Sequence, residues 1–171
     1  MTLSDNLAGE VVAKIQARVT TTEGNQGGVV DAVHSLTKSI TDGSGSAAAT
    51  GIFSSSFTAT TGGVTISLAD SDDPLGGAGS DTPTTDPEGL KLKAILIENQ
   101  DATNFVSVKK GTNGEASILS GSTDSMKITA GGFILWYSPA GVSAMNDGTD
   151  DEYLFTADTA SVTIKLTYIY G

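Results

Sequence analysis

The densest group of potentially reactive side chains in this sequence is the acidic stretch ADSDDPLGGAGSDTPTTDPEG, residues 69–89. It carries six carboxylates, no basic residue and one large apolar side chain, Leu75. Closely spaced carboxylate oxygens suit Ca²⁺. The donors that could share an ion are Asp70, Asp72, Asp73 and Asp81. The motif of a helix-flanked calcium loop fails, because Leu75 stands at the sixth position, where Gly is needed, and no Glu stands at the twelfth. We therefore expect a solvated acidic loop and no metal.

A second acidic segment, NDGTDDE at residues 146–152, is interpreted in the same way. Its carboxylates are Asp147, Asp150, Asp151 and Glu152. His34 is the single histidine, and it would act as a base only if the fold placed a nucleophile or a carboxylate beside it. The sequence contains no GxSxG, HExxH or Walker-type motif. It therefore predicts no catalytic residue, no cofactor and a protein that is not an enzyme.

The chain as a whole is acidic, with nine basic residues against 20 acidic ones and a formal net charge of −11. Nucleic-acid binding needs clustered Lys and Arg to neutralise phosphates, and anionic membranes are disfavoured for the same reason. The N-terminal sequence MTLSDNLAGEVV lacks the basic segment and apolar run of a signal peptide. No apolar run approaches the roughly 18 residues of a membrane span. We expect a soluble protein made in the cytoplasm, with neither a nucleic-acid nor a membrane partner.

Most of the sequence has strand patterns, and these strands must position the carboxylates and the histidine described above. EVVAKIQARVTT, residues 10–21, alternates with a period of two, and AILI, residues 94–97, is continuously apolar, as in a strand buried on both faces. Residues 52–60 and 64–69 flank the turn TGG and are interpreted as a hairpin. Trp136 in FILWY is expected to be buried. The closing strand places alternate large side chains on one face: Val162, Ile164, Leu166, Tyr168 and Tyr170.

About nine short strands at regular spacing predict an all-β fold, a single jelly-roll-like β-sandwich with a short N-terminal arm and long polar loops. The arm is residues 1–9, and the sandwich domain is residues 10–171 with the acidic loop at 69–89. If 69–89 linked two domains, residues 1–68 would need a core of their own, which four short strands rich in Ser and Thr do not easily supply. The acidic stretch is therefore expected to be a loop inside one domain. The chain has no cysteine, so no disulfide framework is possible.

Several segments carry a resemblance to a known group of proteins. In chain order they are SLTKSITDGSG, FSSSFTATTGGVTISLAD with DPLG, LKAILIENQDATNFVSVKKG, ITAGGFILWYSPAGVSA and VTIKLTYIYG. The shared elements are a TDG turn, an apolar strand followed by an N-x-D-x-x-N turn, an AGG before an aromatic strand, and a β-branched final strand. Over about residues 33–171 this order resembles small β-sandwich structural proteins of tailed-bacteriophage virions. The resemblance implies a jelly-roll-like module that coats or clamps a capsid, or belongs to the neck or tail.

These observations together predict a non-enzymatic virion protein, most specifically a capsid decoration (cement) protein acting as a homo-oligomer. Its partner would be the major capsid protein or another virion protein. Leu3 and Leu7 are candidate interface residues of a short arm that docks on a neighbour, and a frayed terminus is the alternative. Other functions left open are a neck, tail or head-fibre component, a carbohydrate-binding β-sandwich module, and a glycan-cleaving enzyme with paired carboxylates.

Overall fold

The computed structural model describes residues 8–21, 28–42, 48–70, 74–75, 83, 86–114, 118–119, 123–142 and 144–171. These residues form strands and turns, with no helix among them. The eleven strands are β1 (Ala8–Thr21), β2 (Gly28–Asp42), β3 (Ala48–Ala49), β4 (Gly51–Ala59), β5 (Val64–Ser67), β6 (Leu92–Asn99), β7 (Val106–Lys110), β8 (Ser125–Ile128), β9 (Phe133–Tyr137), β10 (Glu152–Ala157) and β11 (Val162–Tyr170).

Eight of the strands form two four-stranded sheets that pack face to face. Sheet I has the order β4-β11-β6-β9, and sheet II has the order β5-β10-β7-β8. Phe57 of sheet I meets Phe155 of sheet II edge to face, with ring centroids 5.0 Å apart. Both side chains lie in one continuous hydrophobic core. The prediction of an all-β sandwich is therefore confirmed.

The strand β11 occupies the centre of sheet I, between β4 and β6. Its alternate residues predicted to share one face are all fully buried: Val162, Ile164, Leu166, Tyr168 and Tyr170. The Tyr168 ring stacks on Phe53 at 5.1 Å, and its hydroxyl donates to the Leu68 carbonyl at 3.0 Å. The polar end of this large side chain is thus satisfied inside the core, as burial of a tyrosine requires.

The predicted hairpin of residues 52–60 and 64–69 is wrong. β4 pairs with β11 in sheet I, whereas β5 pairs with β10 in sheet II. The turn between them, closed by a hydrogen bond from the Gly63 amide to the Thr60 carbonyl at 3.1 Å, carries the chain from one sheet to the other. A glycine-rich turn serves a sheet crossing as well as a hairpin, so the local sequence does not distinguish the two. β8 and β9 are divided between the sheets in the same way.

The remaining strands form a long two-stranded ribbon, β1 with β2, extended by the two residues of β3. β1 and β2 pair antiparallel from Ala8 opposite Thr41 to Thr21 opposite Gly28. β1 has 14 residues, which correspond to a ribbon about 48 Å long at about 3.4 Å per residue. Among the described residues, neither β1 nor β2 makes more than marginal contact with a strand of either sheet. An isolated two-stranded ribbon of this kind is at best marginally stable in water.

Candidate interface on the outer face of sheet I

The outer face of sheet I changes from polar to apolar across its width. On the β4 edge it presents the exposed hydroxyl side chains of Ser54, Ser56 and Thr58. The opposite edge is β9, where the pairing of β6 with β9 brings apolar side chains together. The outward residues there are Ala94 and Leu96 of β6, and Phe133, Leu135 and Tyr137 of β9. The apolar half of this face therefore lies at an unpaired sheet edge.

The base of the ribbon lies over this apolar half without filling the space beneath it. A gap of about 280 Å³ separates Glu10, Val11 and Val12 of β1 from the sheet. Its sheet side is formed by Ala94, Leu96, Leu135, Thr167 and Ile169. A second gap of about 190 Å³ lies between the ribbon and β9, lined by Val11, Ala13, Leu36, Lys38, Leu135 and Tyr137. Interiors of folded proteins leave few voids larger than a water molecule, so this contact is incompletely packed.

Further from its base, the ribbon faces β9 alone among the strands of the sheet. Glu10 and Val12 share gaps with β6, β9 or β11, whereas Ala13 and Leu36 share a gap with β9 alone. Ile15, two residues further along the same ribbon face, is 71% exposed and Leu36 is 46% exposed. On the same face but at the base, Ile40 is buried. Among the ribbon side chains that the structure describes, this apolar face is therefore buried at Ile40, at the base, and exposed at Leu36 and Ile15.

Four large apolar side chains are exposed in this region: Ile15 at 71% and Leu36 at 46% on one face of the ribbon, Val12 at 51% on its other face, and Phe133 at 66% on β9. They are the exposed large hydrophobic residues of the described chain. A single exposed apolar residue is ordinary, but a cluster at a sheet edge marks an interaction surface. The prediction that AILI is buried on both faces fits only in part, because Leu96 is half-buried under the loosely packed ribbon.

The acidic stretch is anchored in the core near its start, although it was expected to be a solvated loop. Leu75 is fully buried within the main hydrophobic cluster. The adjacent Pro74 carbonyl accepts a hydrogen bond from the Ser67 amide at 3.0 Å. Asp70 is half-buried, whereas Asp72, Asp73 and Asp81 lie outside the described residues. Within the described parts of the chain, no three carboxylate or imidazole side chains are grouped to hold a metal ion.

The second acidic segment was also expected to be solvated, and at Asp151 that expectation is wrong. Asp151 is fully buried, and its carboxylate accepts a hydrogen bond from the Ser67 hydroxyl. Its backbone amide donates to the Asn113 carbonyl at 3.0 Å. Burial raises the pKa of Asp151, hydrogen bonds from the Ser67 hydroxyl and the Ala69 backbone amide oppose this rise, and the nearby charges of Asp147 and Glu152 add to it.

The N-x-D-x-x-N turn identified in the sequence, residues 99–104, forms a network of hydrogen bonds that joins two loops. Asn99 is fully buried, and its side-chain amide donates to the carbonyls of Asn104, Ile128 and Thr129 at 2.9–3.1 Å. Asp101 accepts the amide of Asn104 at 2.6 Å and that of Thr103 at 2.8 Å. These amides lower the pKa of Asp101.

The AGG turn meets that network directly. The Gly131 amide donates to the Asp101 carbonyl at 2.9 Å. Gly131 has a φ of 66°, a conformation that favours glycine, and Gly132 comes so close to the Thr129 carbonyl that a Cβ would lie 2.9 Å from it. Two of the sequence elements that carry the resemblance are therefore in contact in the fold. They hold the start of β9, and hence exposed Phe133, in a fixed position.

The other predicted site residues are placed as follows. His34 lies on β2 opposite Ile15 of β1, and its side chain is outside the described residues. Leu3 and Leu7 are also outside them. Trp136, expected to be buried, is half-buried and packs against the core from β9. No described residue belongs to a helix long and apolar enough to cross a membrane.

No protein-family model matches this chain, and neither a curated protein nor a solved structure matches it. The interface on sheet I was not predicted from the sequence. The available signal was the alternation in residues 10–21 together with the outward apolar residues of FILWY, which are now seen on facing surfaces.

Proposed function

We propose that this chain is a non-enzymatic structural protein of a tailed-bacteriophage virion, most specifically a capsid decoration protein that stabilises the assembled head. The observation that carries the proposal is the set of exposed apolar side chains formed by Ile15 and Leu36 of the ribbon and by Phe133 on the edge strand β9. Such a surface suits a protein whose work is to lie against another protein. The apolar gaps beneath the ribbon are lined mainly by aliphatic side chains, which suits packing against a partner chain.

The connectivity of the sandwich supports the same proposal. Counted from β4 as the first strand, sheet I has the order 1-8-3-6 and sheet II the order 2-7-4-5. We interpret this as a jelly roll, an eight-stranded double Greek key used by viral capsid domains and by lectins. The argument is an analogy of fold, since one fold serves many functions. It adds weight to the resemblance described from the sequence, which points to virion proteins independently of the connectivity.

The mechanism of a decoration protein would be mass action. A protein that binds the assembled shell and not its separated subunits stabilises the shell by its binding free energy. Many equivalent copies add their weak contacts by avidity. The high negative charge suits this role, because it keeps the free protein soluble before assembly.

The test is the copy number of this chain in purified particles, measured by quantitative mass spectrometry against the major capsid protein. A ratio near one, or a simple symmetric fraction of it, supports decoration. A few copies per particle would place the chain in the neck, tail or head fibre. Absence from particles would contradict the virion role and favour the carbohydrate-binding alternative, which a glycan array then examines.

A second measurement separates decoration from mere attachment. Particles that lack this chain are compared with complete particles for survival of heating and of osmotic shock. A cement protein predicts that the incomplete particles lose their contents first, and that adding the purified chain restores their resistance. Equal survival of both kinds of particle would contradict a stabilising role.

A further inference from the structure

Within one chain the ribbon exposes Ile15 and Leu36, and the β9 edge exposes Phe133. We infer that a second copy of this chain covers them: the ribbon of one copy extends across the β9 edge of the next, with Ile15 and Leu36 packing on Phe133 of that copy. The inference concerns the assembly of the chain with itself. Its test uses the purified chain alone, so its failure would leave the binding to particles untouched.

The first argument is that, within one chain, the base of the ribbon already lies loosely against the apolar face of β9. Val11 and Leu36 lie on the ribbon face that leans over Leu135 and Tyr137 of β9. Ile15 lies two residues beyond Ala13 and therefore on the same face of the ribbon. Exposed Ile15 is aliphatic, like Val11 and Leu36, which lie over β9 in the same chain. The surface that suits Ile15 is the same face of β9 in another copy.

The second argument is charge. Residues 8–42, which contain the ribbon, have three basic and four acidic residues, whereas residues 43–171 have six basic and fifteen acidic residues. The acidic regions 43–171 of two copies therefore repel each other. The nearly neutral ribbon of one copy can approach the acidic region of another without that repulsion. Lys14 and Lys38 are exposed on the ribbon, and Glu98 lies beside Phe133 at the sheet face. Opposite charges thus flank the two apolar surfaces that would meet.

The third argument is the instability of the ribbon in isolation. Within the described part of the chain, most of the ribbon has no partner strand on either edge, since β2 meets β3 only at Thr41 and Asp42. Long exposed edges and exposed apolar residues are features that soluble proteins normally cover. Exchange of ribbons between copies covers the exposed apolar residues. If the exchange is reciprocal the assembly closes as a two-fold dimer, and if each ribbon passes to the next copy it closes as a ring.

Cysteine cross-linking tests the contact directly, because the natural chain has no cysteine. Ile15→Cys is made in one preparation and Phe133→Cys in an isotope-labelled preparation, and the two are mixed and treated with a short bismaleimide. The matched control replaces Phe133→Cys by Thr65→Cys, an exposed position in β5 on the other sheet. We expect the mixed-mass dimer of the first pair to exceed that of the control roughly fivefold or more, because contact raises the effective concentration of the two thiols. Equal yields of the two pairs would overturn the inference.

The double variant Ile15→Cys with Phe133→Cys in one chain distinguishes a second copy from the chain's own ribbon. The yield of the cross-link within one chain is measured at high dilution, and the yield of the link between chains is measured at high concentration. Equal yields would show that the ribbon folds back on its own sheet, and would overturn the inference. Dependence of the link on protein concentration supports it.

Sedimentation velocity of the purified full chain measures the assembly itself. Ile15→Lys places a charge at the bare ribbon face, and Thr65→Lys makes the same change of charge away from it. We expect Ile15→Lys to raise the dissociation constant about tenfold or more, as loss of one buried aliphatic side chain implies, and Thr65→Lys to leave it within about twofold. A natural chain that sediments as a monomer at all concentrations, or equal effects of the two variants, would overturn the inference.

Discussion

β11 and β1 have the same kind of sequence and opposite surroundings. Each is a strand with apolar side chains at alternate positions, yet β11 is paired on both sides and buries every one of them, whereas β1 is paired on one side and leaves Ala13 and Ile15 of that face exposed. Alternation specifies that one face of a strand should be buried, but not which surface does the burying. The sandwich supplies that surface for β11. For Ile15 of β1, the described part of the chain does not.

The largest expected difference is in stability. Leu166→Ala in β11 should lower the free energy of unfolding by about 3 kcal/mol, because it leaves a cavity in a closely packed core. Ile15→Ala in β1 should change it by less than about 0.5 kcal/mol in dilute solution, because the side chain is exposed there. Urea unfolding measures both, with exposed Thr163→Ala as the control on β11. A loss at Ile15 as large as that at Leu166 would mean that the ribbon is already buried in the single chain.

A second expected effect concerns the turn that holds the start of β9. Asn99→Ala should destabilise the chain by about 2–3 kcal/mol, because the carbonyls of Asn104, Ile128 and Thr129 lose their buried donor. Gln100→Ala is the matched control, since Gln100 is the exposed neighbour. Urea unfolding gives the stability change. A loss no greater than that of the control would show that the network does not stabilise this edge.

The buried carboxylate Asp151 predicts a pH effect of definite sign. The folded chain holds its proton more tightly than the unfolded chain, whose pKa is near 3.8. Its contribution is therefore most favourable below that value and is lost as the pH rises through the raised pKa of the folded state. Asp151→Asn cannot ionise, so its melting temperature relative to the natural chain should rise between about pH 3 and about pH 7. Ser67→Ala, which keeps the carboxylate, should not show that rise, and a flat difference for Asp151→Asn would contradict the assignment.

Asp101 should show a smaller effect of the opposite sign. Backbone amides of Asn104 and Thr103 lower its pKa, so its contribution is present above the unfolded value of 3.8 and is lost as the pH falls through the lowered pKa of the folded state. Asp101→Asn should therefore be less stable than the natural chain at neutral pH, with the difference shrinking in acid. Thermal unfolding across the pH range measures it. A difference that grows in acid would be inconsistent with the hydrogen bonds described.

Local pattern was sufficient to predict the strands but not what they contact. Alternation predicted that Val162, Ile164 and Leu166 share one face, and the position of β11 between β4 and β6 in a sheet packed on the core is what buries that face. The crossing after Thr60 could not be predicted, since the same turn residues serve a hairpin. The burial of Asp151 was missed because NDGTDDE is polar throughout, and the Ser67 and Asn113 groups that enclose it are distant in sequence. The surface under the ribbon likewise joins residues more than 80 positions apart, such as Val12 and Leu96.

The most direct test of the central claim is amide hydrogen exchange of the full chain at two concentrations, one below and one above the midpoint of its self-association. If the ribbon is completed by another copy, amides around Ile15 and Leu36 should exchange about tenfold more slowly at the higher concentration, while those of β11 stay equally protected at both. Amides of the ribbon that are as protected as β11 in the dilute chain, or that remain unprotected at both concentrations, would contradict the claim.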